Sequence, residues 1–364
     1  MTGANKSSQS TVKMEEKEVL QSEDVSEKEK PGHKNRDKDL KASAATSQKG
    51  ASKSDERKEP LPSNLVEKGI IYFLTRGRVG VDDPQSVEDL QRSFIVLRPF
   101  PKDAKISSST IRDTSNLRYI AIPKKTLPQN PRDRFMAFIE KANTSMKDLK
   151  DGYFEGKDYE TKTLGTRHTP AIQPVGEGVY AITEVGGSTH LIYMLTIPST
   201  IGEIQKDLGL REKGSLIISL KNPTRKGPSY ANIGKKPDFP KEFIDEFRGL
   251  AWVGISKPEY LNYENAQLLL IGEKQNELGK AGELAEQDEK KPNEETPAEE
   301  LEKLEHEDEL RVQHLDGKYK RVLPKFFQSS LPWSALYWRP LGDDTIFTDL
   351  RLDHEEYSKV PTTW

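Results

Sequence analysis

Between residues 65 and 272 the chain is written in short aliphatic and aromatic runs, most of them cut off by glycine, proline or charge. A first set reads GIIYFL (69–74), SFIVLRP (93–99), RYIAIP (118–123) and RFMAFIE (134–140). A second reads GVYAIT (178–183), HLIYMLTIP (190–198), SLIISLKNP (215–223) and AQLLLIGE (266–273), with LAWVGI (250–255) between the last two. Runs this short, rich in Ile, Val, Tyr and Phe and stopped by proline, predict strands. The expected fold is α+β: mostly antiparallel β, as a sandwich or partly closed barrel, with a few short helices and disordered flanks.

The two sets line up, each opening on a glycine and continuing with runs that end at Pro99 or Pro198 and at Pro123 or Pro223. This alignment fits an internal duplication of 65–145 and 176–272 as well as it fits coincidence. Helices are expected at 86–92, capped by Ser86, and at 201–208, opened by Ser199 and Thr200. A third is expected at 240–249, with Pro240 at its start and Gly249 beyond its end. A longer one over 298–315 carries only a thin stripe of Leu301, Leu304 and Leu315, which predicts an exposed or weakly docked helix.

Charge divides the chain. Residues 1–60 lack Phe, Tyr and Trp and hold 13 Lys/Arg against 12 Asp/Glu, a mixed-charge disordered tail. Residues 273–310 hold 15 Asp/Glu against 5 Lys, an acidic insert that is disordered or helical. With the whole chain at −3, residues 61–272 and 311–364 together carry +6, so a basic body bears an acidic arm. The segment 311–364 turns aromatic again (Phe326, Phe327, Trp333, Tyr337, Trp338) and is expected to dock on the core.

The chain has no cysteine, which excludes disulfides, thiolate catalysis and thiolate metal sites. It begins without an apolar signal and contains no run of 18 apolar residues, so an intracellular place, nuclear or cytoplasmic, and no membrane are expected. No motif fixes a reaction: there is no phosphate-binding glycine loop, no Gly-x-Ser-x-Gly and no His-Glu-x-x-His. No catalytic residue, metal or cofactor is expected. What remains is a set of basic loops at strand ends. Arg76 and Arg78 flank Gly77; Arg98 precedes Pro99; Lys124 and Lys125 follow Pro123. Lys162, Arg167 and His168 share TKTLGTRHTP, and Arg225 lies in KNPTRKG with Lys221 and Lys226. A sheet that gathered such loops on one rim would offer the cations, hydroxyls and amides that phosphate recognition needs. Solvated turns account for the same residues without any site.

The strings EKGIIYFLTRGRVG (67–80), VEDLQRSFIVLRP (87–99), DYETKTLGTRHTP (158–170), PVGEGVYAI (174–182) and HLIYMLTIP (190–198) resemble an uncharacterised, mainly fungal family whose members often bear the label "BTB domain transcription factor". The resemblance covers most of 65–272 and implies a nuclear protein linked to transcription or chromatin. The family supplies no agreed catalytic residues. Three functions are open on the sequence. One is a non-enzymatic interaction protein taking nucleic acid or chromatin proteins on its basic body. Another is a small-molecule-binding or hydrolytic β-barrel with Arg167 and His168 at its mouth. The third is a scaffold whose acidic segment recruits basic proteins.

Overall fold

The computed structural model describes residues 51–53, 61–163, 165–226, 234–273, 278–282, 295–320, 345–352 and 359–364. In chain order the strands are β1 (Ala51–Lys53), β2 (Leu65–Gly77), β3 (Leu90–Phe100), β4 (Ala104–Ile106), β5 (Leu117–Ile122), β6 (Arg134–Thr144) and β7 (Lys157–Thr161). They continue with β8 (Gly165–Thr169), β9 (Ile172–Val185), β10 (Ser188–Ile197), β11 (Lys213–Lys221), β12 (Trp252–Val253) and β13 (Gln267–Gly272). The sheet order is β10-β9-β2-β3-β5-β6-β13-β11-β12, antiparallel throughout. Because β10 also pairs with β11, eight strands close into a ring, and β12 continues the sheet beyond it. Two small pairs, β1–β4 and β7–β8, stand apart from it. The α+β, mostly antiparallel architecture expected from the strand runs is the one that forms.

Alternate residues of each strand face opposite sides. Ile71, Ile95, Ile120, Ile139, Ile182, Leu191, Ile218 and Leu270 belong to one apolar cluster drawn from all eight ring strands, so this cluster fills the ring. Their neighbours, among them Tyr72, Val96, Tyr119, Val179 and Met194, form a second cluster on the outer face. At one end of the interior Arg118 makes a bidentate pair with Glu67 at 2.6 and 2.7 Å, and Tyr180 donates to the same carboxylate at 2.6 Å.

The ring consists of two four-stranded meanders, β2-β3-β5-β6 and β9-β10-β11-β13. They join first strand to first and last strand to last, antiparallel at both seams. The β2–β9 register is centred on Ile70↔Val179, flanked by Gly69↔Tyr180 and Ile71↔Gly178. Gly69 and Gly178 thus occupy equivalent places. A Cβ on Gly69 would lie 2.1 Å from the Arg98 carbonyl oxygen, and one on Gly178 would lie 2.1 Å from that of Met194. Close backbone approach demands glycine at both.

The helices are α1 (Met146–Leu149), α2 (Glu203–Asp207), α3 (Lys241–Glu246), α4 (Pro297–Lys320) and α5 (Thr345–Leu350). The helix expected at 86–92 shrinks to a 3-10 turn, Val87–Asp89, because Leu90 onward is taken into β3 and Arg92 pairs with Arg76. The cap of α2 is Gly202, whose N–H donates to Gln205 Oε1 at 3.1 Å, rather than Ser199 or Thr200. α3 follows Pro240 as expected and ends through Arg248 and Gly249, both in the left-handed region.

The acidic helix departs most from expectation. Thr296 and Glu299 cap α4 reciprocally: Thr296 N–H donates to the Glu299 carboxylate at 2.8 Å and Glu299 N–H donates to Thr296 Oγ1 at 3.2 Å. Far from being exposed, α4 lays Leu301, Leu304 and Val312 on the outer apolar cluster, beside Ile346 and Phe347 of α5. Several of its carboxylates are taken up by neighbouring strands. Glu300 pairs with the fully buried Lys68 at 2.6 Å, Glu307 accepts from Ile106 N–H at 2.8 Å, and Asp308 accepts from Thr196 at 2.7 Å. Arg311, with no exposed surface, bridges Asp308 at 2.8 Å, Glu177 of β9 and Asp349 of α5. Burial pushes the Glu177 carboxyl well up despite the guanidinium, helped by Asp349 and Asp308. Its Oε2 has no hydrogen-bond partner.

Residues 1–50 and the aromatics Phe326 to Trp338 lie outside the described residues. No helix among the described residues is long and apolar enough to cross a membrane.

Candidate anion-binding site

The basic residues singled out in the sequence do not all gather in one place. Arg76 is half-buried on β2: its guanidinium donates to the Tyr153 carbonyl and lies 5.8 Å over the Phe94 ring. Arg98 is 3% exposed and donates to the Ile111 carbonyl at 2.7 Å, out of reach of any surface ligand. Arg78 sits on an exposed turn and faces Glu88, whose other partner is Lys125 at 2.9 Å. Lys124 is exposed and lies 5.9 Å from the Phe135 ring centre. Lys162, Arg167 and His168 stand on the exposed β7–β8 hairpin, tied to the Arg78 turn by Gly80 N–H donating to the His168 carbonyl at 2.8 Å. His168 is held between Asp158 at 2.6 Å and Asp82 at 3.3 Å, and the Asp158 hydrogen bond raises its pKa. This imidazole is already neutralised by two carboxylates. Gly77 itself has ordinary φ; a Cβ there would meet the Val81 carbonyl oxygen at 2.3 Å, so the turn needs glycine for space.

Among the described residues the ring interior is filled by the apolar cluster, and the described gaps at its edge are small. The gap lined by Phe73, Val175 and Leu208 measures about 10 Å³, and the one beside Tyr193, Ser215 and Glu273 about 20 Å³, room for one water at most. Arg167 and His168 lie outside the ring on their hairpin, so no mouth forms around them.

Among the described cavities, the one large enough to hold a ligand is bordered by Arg225 of the residues singled out. At the end of β11, Asn222 organises a turn: its side-chain oxygen accepts from Thr224 N–H at 3.0 Å and Thr224 Oγ1 at 2.7 Å, while its amide donates to the Leu250 carbonyl at 2.9 Å. Asn222 is buried, so the turn is fixed to the body. Arg225 follows, its Nε donating to the Gly249 carbonyl at 2.6 Å, which aims the guanidinium and leaves its terminal nitrogens without a described partner. Lys221, Arg225 and Lys226 form one wall of a cavity of about 410 Å³, Lys235 and Lys236 another, with Thr224, Asn265 and Gln267 supplying polar groups between them. Asn265 is pinned in the left-handed region by its N–H bond to the Ile139 carbonyl at 2.7 Å.

Five cations thus surround one concavity, no carboxylate is among its described lining, and none of the five pairs with a described acid. The opposite corner of the two-fold ring supplies an internal contrast. There β5 is followed by Lys124 and Lys125 as β11 ends in Lys221, but Glu88 closes on Lys125. Lys235 and Lys236 escape a reading of the sequence, although Gly-Lys-Lys-Pro carries the same basic doublet beside proline that singles out Lys124 and Lys125.

Among the described residues no group of three or more His, Asp or Glu is placed to hold a metal. The chain matches no protein-family model, and no curated protein or solved structure is significantly similar to it.

Proposed function

We propose that this is a non-enzymatic binding protein that takes phosphate-bearing ligands, nucleic acid foremost, in the basic cavity at the end of β11. The observation that carries the reading is the uncompensated charge. Elsewhere several described Lys and Arg residues are matched to acids, as in Lys68–Glu300, Arg118–Glu67, Lys141–Glu264 and Lys257–Glu246. Five like charges around one hollow repel each other and are stabilised by an anion. The described lining offers donors and no carboxylate, which suits holding phosphate better than transforming it. The resemblance noted in the sequence adds a nuclear, chromatin-linked setting to the proposal.

The described part of the acidic arm does not shield this site. α4 pairs with Lys213 at the start of β11, whereas Lys221 and the cavity lie at its far end. A scaffold role in which 273–310 is a free lure for basic proteins also loses Glu300, Glu307 and Asp308, which Lys68, Ile106 and Thr196 occupy.

The test is fluorescence anisotropy of labelled DNA and RNA on the full chain across a series of salt concentrations. Binding should fall steeply with salt, and Lys235→Ala with Lys236→Ala should reduce the log–log slope by about 2, one for each phosphate that the two lysines no longer neutralise. A slope and affinity unchanged by those substitutions would remove the cavity from the interface.

A further inference from the structure

We infer that the ligand of the β11 cavity is an oligophosphate: three or more phosphates in one phosphoanhydride chain, as carried by inorganic polyphosphate, by nucleoside triphosphates and by a 5′-triphosphate nucleic-acid end. The inference rests on the phosphate-binding reading above and narrows it.

Charge density carries the argument. A sphere of about 410 Å³ is about 9 Å across. A nucleic-acid strand brings one charge per ~3.4 Å of helix axis, so about two to three of its phosphates fit that span. Two to three negative charges leave two or three of the five cations unanswered. In a phosphoanhydride chain every phosphate carries a full charge and the terminal one a second, so a triphosphate brings about four into the same space. That approaches the charge of Lys221, Arg225, Lys226, Lys235 and Lys236 together.

The shape agrees. The cations come from two separate chain segments, 221–226 and 235–236, that line one hollow, an arrangement suited to a compact anion rather than to a long one. Arg225 is held by the Gly249 carbonyl through Nε alone, so its two terminal nitrogens can take a phosphate as a fork. Thr224, Asn265 and Gln267 add neutral polar groups around the chain. No described aromatic lines the cavity, so nothing described there stacks on a base. The corner at Lys124 and Lys125, where Glu88 pairs with Lys125, offers fewer free cations to such a ligand.

The experiment is isothermal titration calorimetry of the full chain with inorganic tripolyphosphate and with orthophosphate, alongside anisotropy with a 5′-hydroxyl oligonucleotide. Both are repeated on Lys235→Ala/Lys236→Ala and on Lys124→Ala, exposed positions whose folding is verified by circular dichroism. Tripolyphosphate binding at least tenfold tighter than orthophosphate, weakened at least tenfold in the double variant and unchanged by Lys124→Ala, is expected. Tripolyphosphate should also displace the oligonucleotide. If the oligonucleotide binds and responds to the double variant while tripolyphosphate is no tighter than orthophosphate, the inference is overturned and phosphate binding stands. If neither ligand binds, both fall. Tripolyphosphate binding that ignores the double variant also overturns the inference, since its site is then elsewhere. Nucleoside triphosphate matching tripolyphosphate would assign recognition to the phosphate chain alone. Tighter binding of a 5′-triphosphate RNA than of either would assign the nucleic-acid end.

Discussion

Arg311 shows most sharply how single residues decide this fold. It has no exposed surface and three carboxylates around it, from β9, α4 and α5. Burial works against its charge, and Asp308, Asp349 and Glu177 more than reverse that, holding its pKa well above the usual arginine value. Arg311→Met strands those acids in the core and should cost about 3–5 kcal/mol in chemical denaturation. Glu177→Gln removes a carboxyl whose pKa burial raises well above the ordinary value. The sign of its pH dependence follows from the raised value. The unfolded carboxyl titrates near 4.3, so its contribution is fullest below that pH and is lost as pH rises through the folded value. Melting curves from pH 4 to 8 should show this decline in the native chain and a flatter profile in Glu177→Gln. None of the network was legible, since partners 134 and 38 residues from Arg311 leave no local mark. Arg98 misled for a related reason. SFIVLRP is apolar at both parities, so nothing in it says that Phe94, Val96 and Arg98 share a covered face.

At the scale of elements, the strand runs were legible because β-branched and aromatic residues report a pleated, buried surface directly. Every run singled out lies in or across a strand, although β2 and β9 extend well beyond theirs, to 13 and 14 residues. The helices were less legible. Ser86 and Asp89 resemble a cap, yet Leu90 to Arg92 gain more as part of β3. α4 reads as a poor amphipath because its buried stripe is polar in the middle, running Leu301, Leu304, Asp308, Arg311, Val312 and Leu315. With its charges matched, that stripe docks as a core element. Leu304→Ala should therefore cost about 2–5 kcal/mol, as a buried leucine does, and Thr296→Ala about 1 kcal/mol through removal of the cap. Urea titrations of both variants check this; values near zero for Leu304→Ala would mean the helix is not held.

Over the whole molecule, two meanders arranged about Ile70 and Val179 close one ring around one core. Gly69 and Gly178 sit at equivalent points against equivalent carbonyls, so Gly69→Ala and Gly178→Ala should each destabilise by at least about 1–3 kcal/mol, and by similar amounts. The halves differ where charge is concerned: the first closes its basic corner with Glu88, the second leaves its corner open around Arg225. Arg225 was within reach of the sequence because it follows a strand and a proline. Its assembly with Lys235 and Lys236 was not, since only the folded turn at Asn222 brings the two segments together. The central claim is that phosphate-bearing ligands bind at this corner, and hydrogen–deuterium exchange of the full chain, free and saturated with a single-stranded oligonucleotide, tests it most directly. Slowed exchange at 221–226, 235–236 and 265–267, with 157–169 unchanged, is the predicted result. Protection of the 157–169 hairpin with the β11 corner unaffected would contradict it.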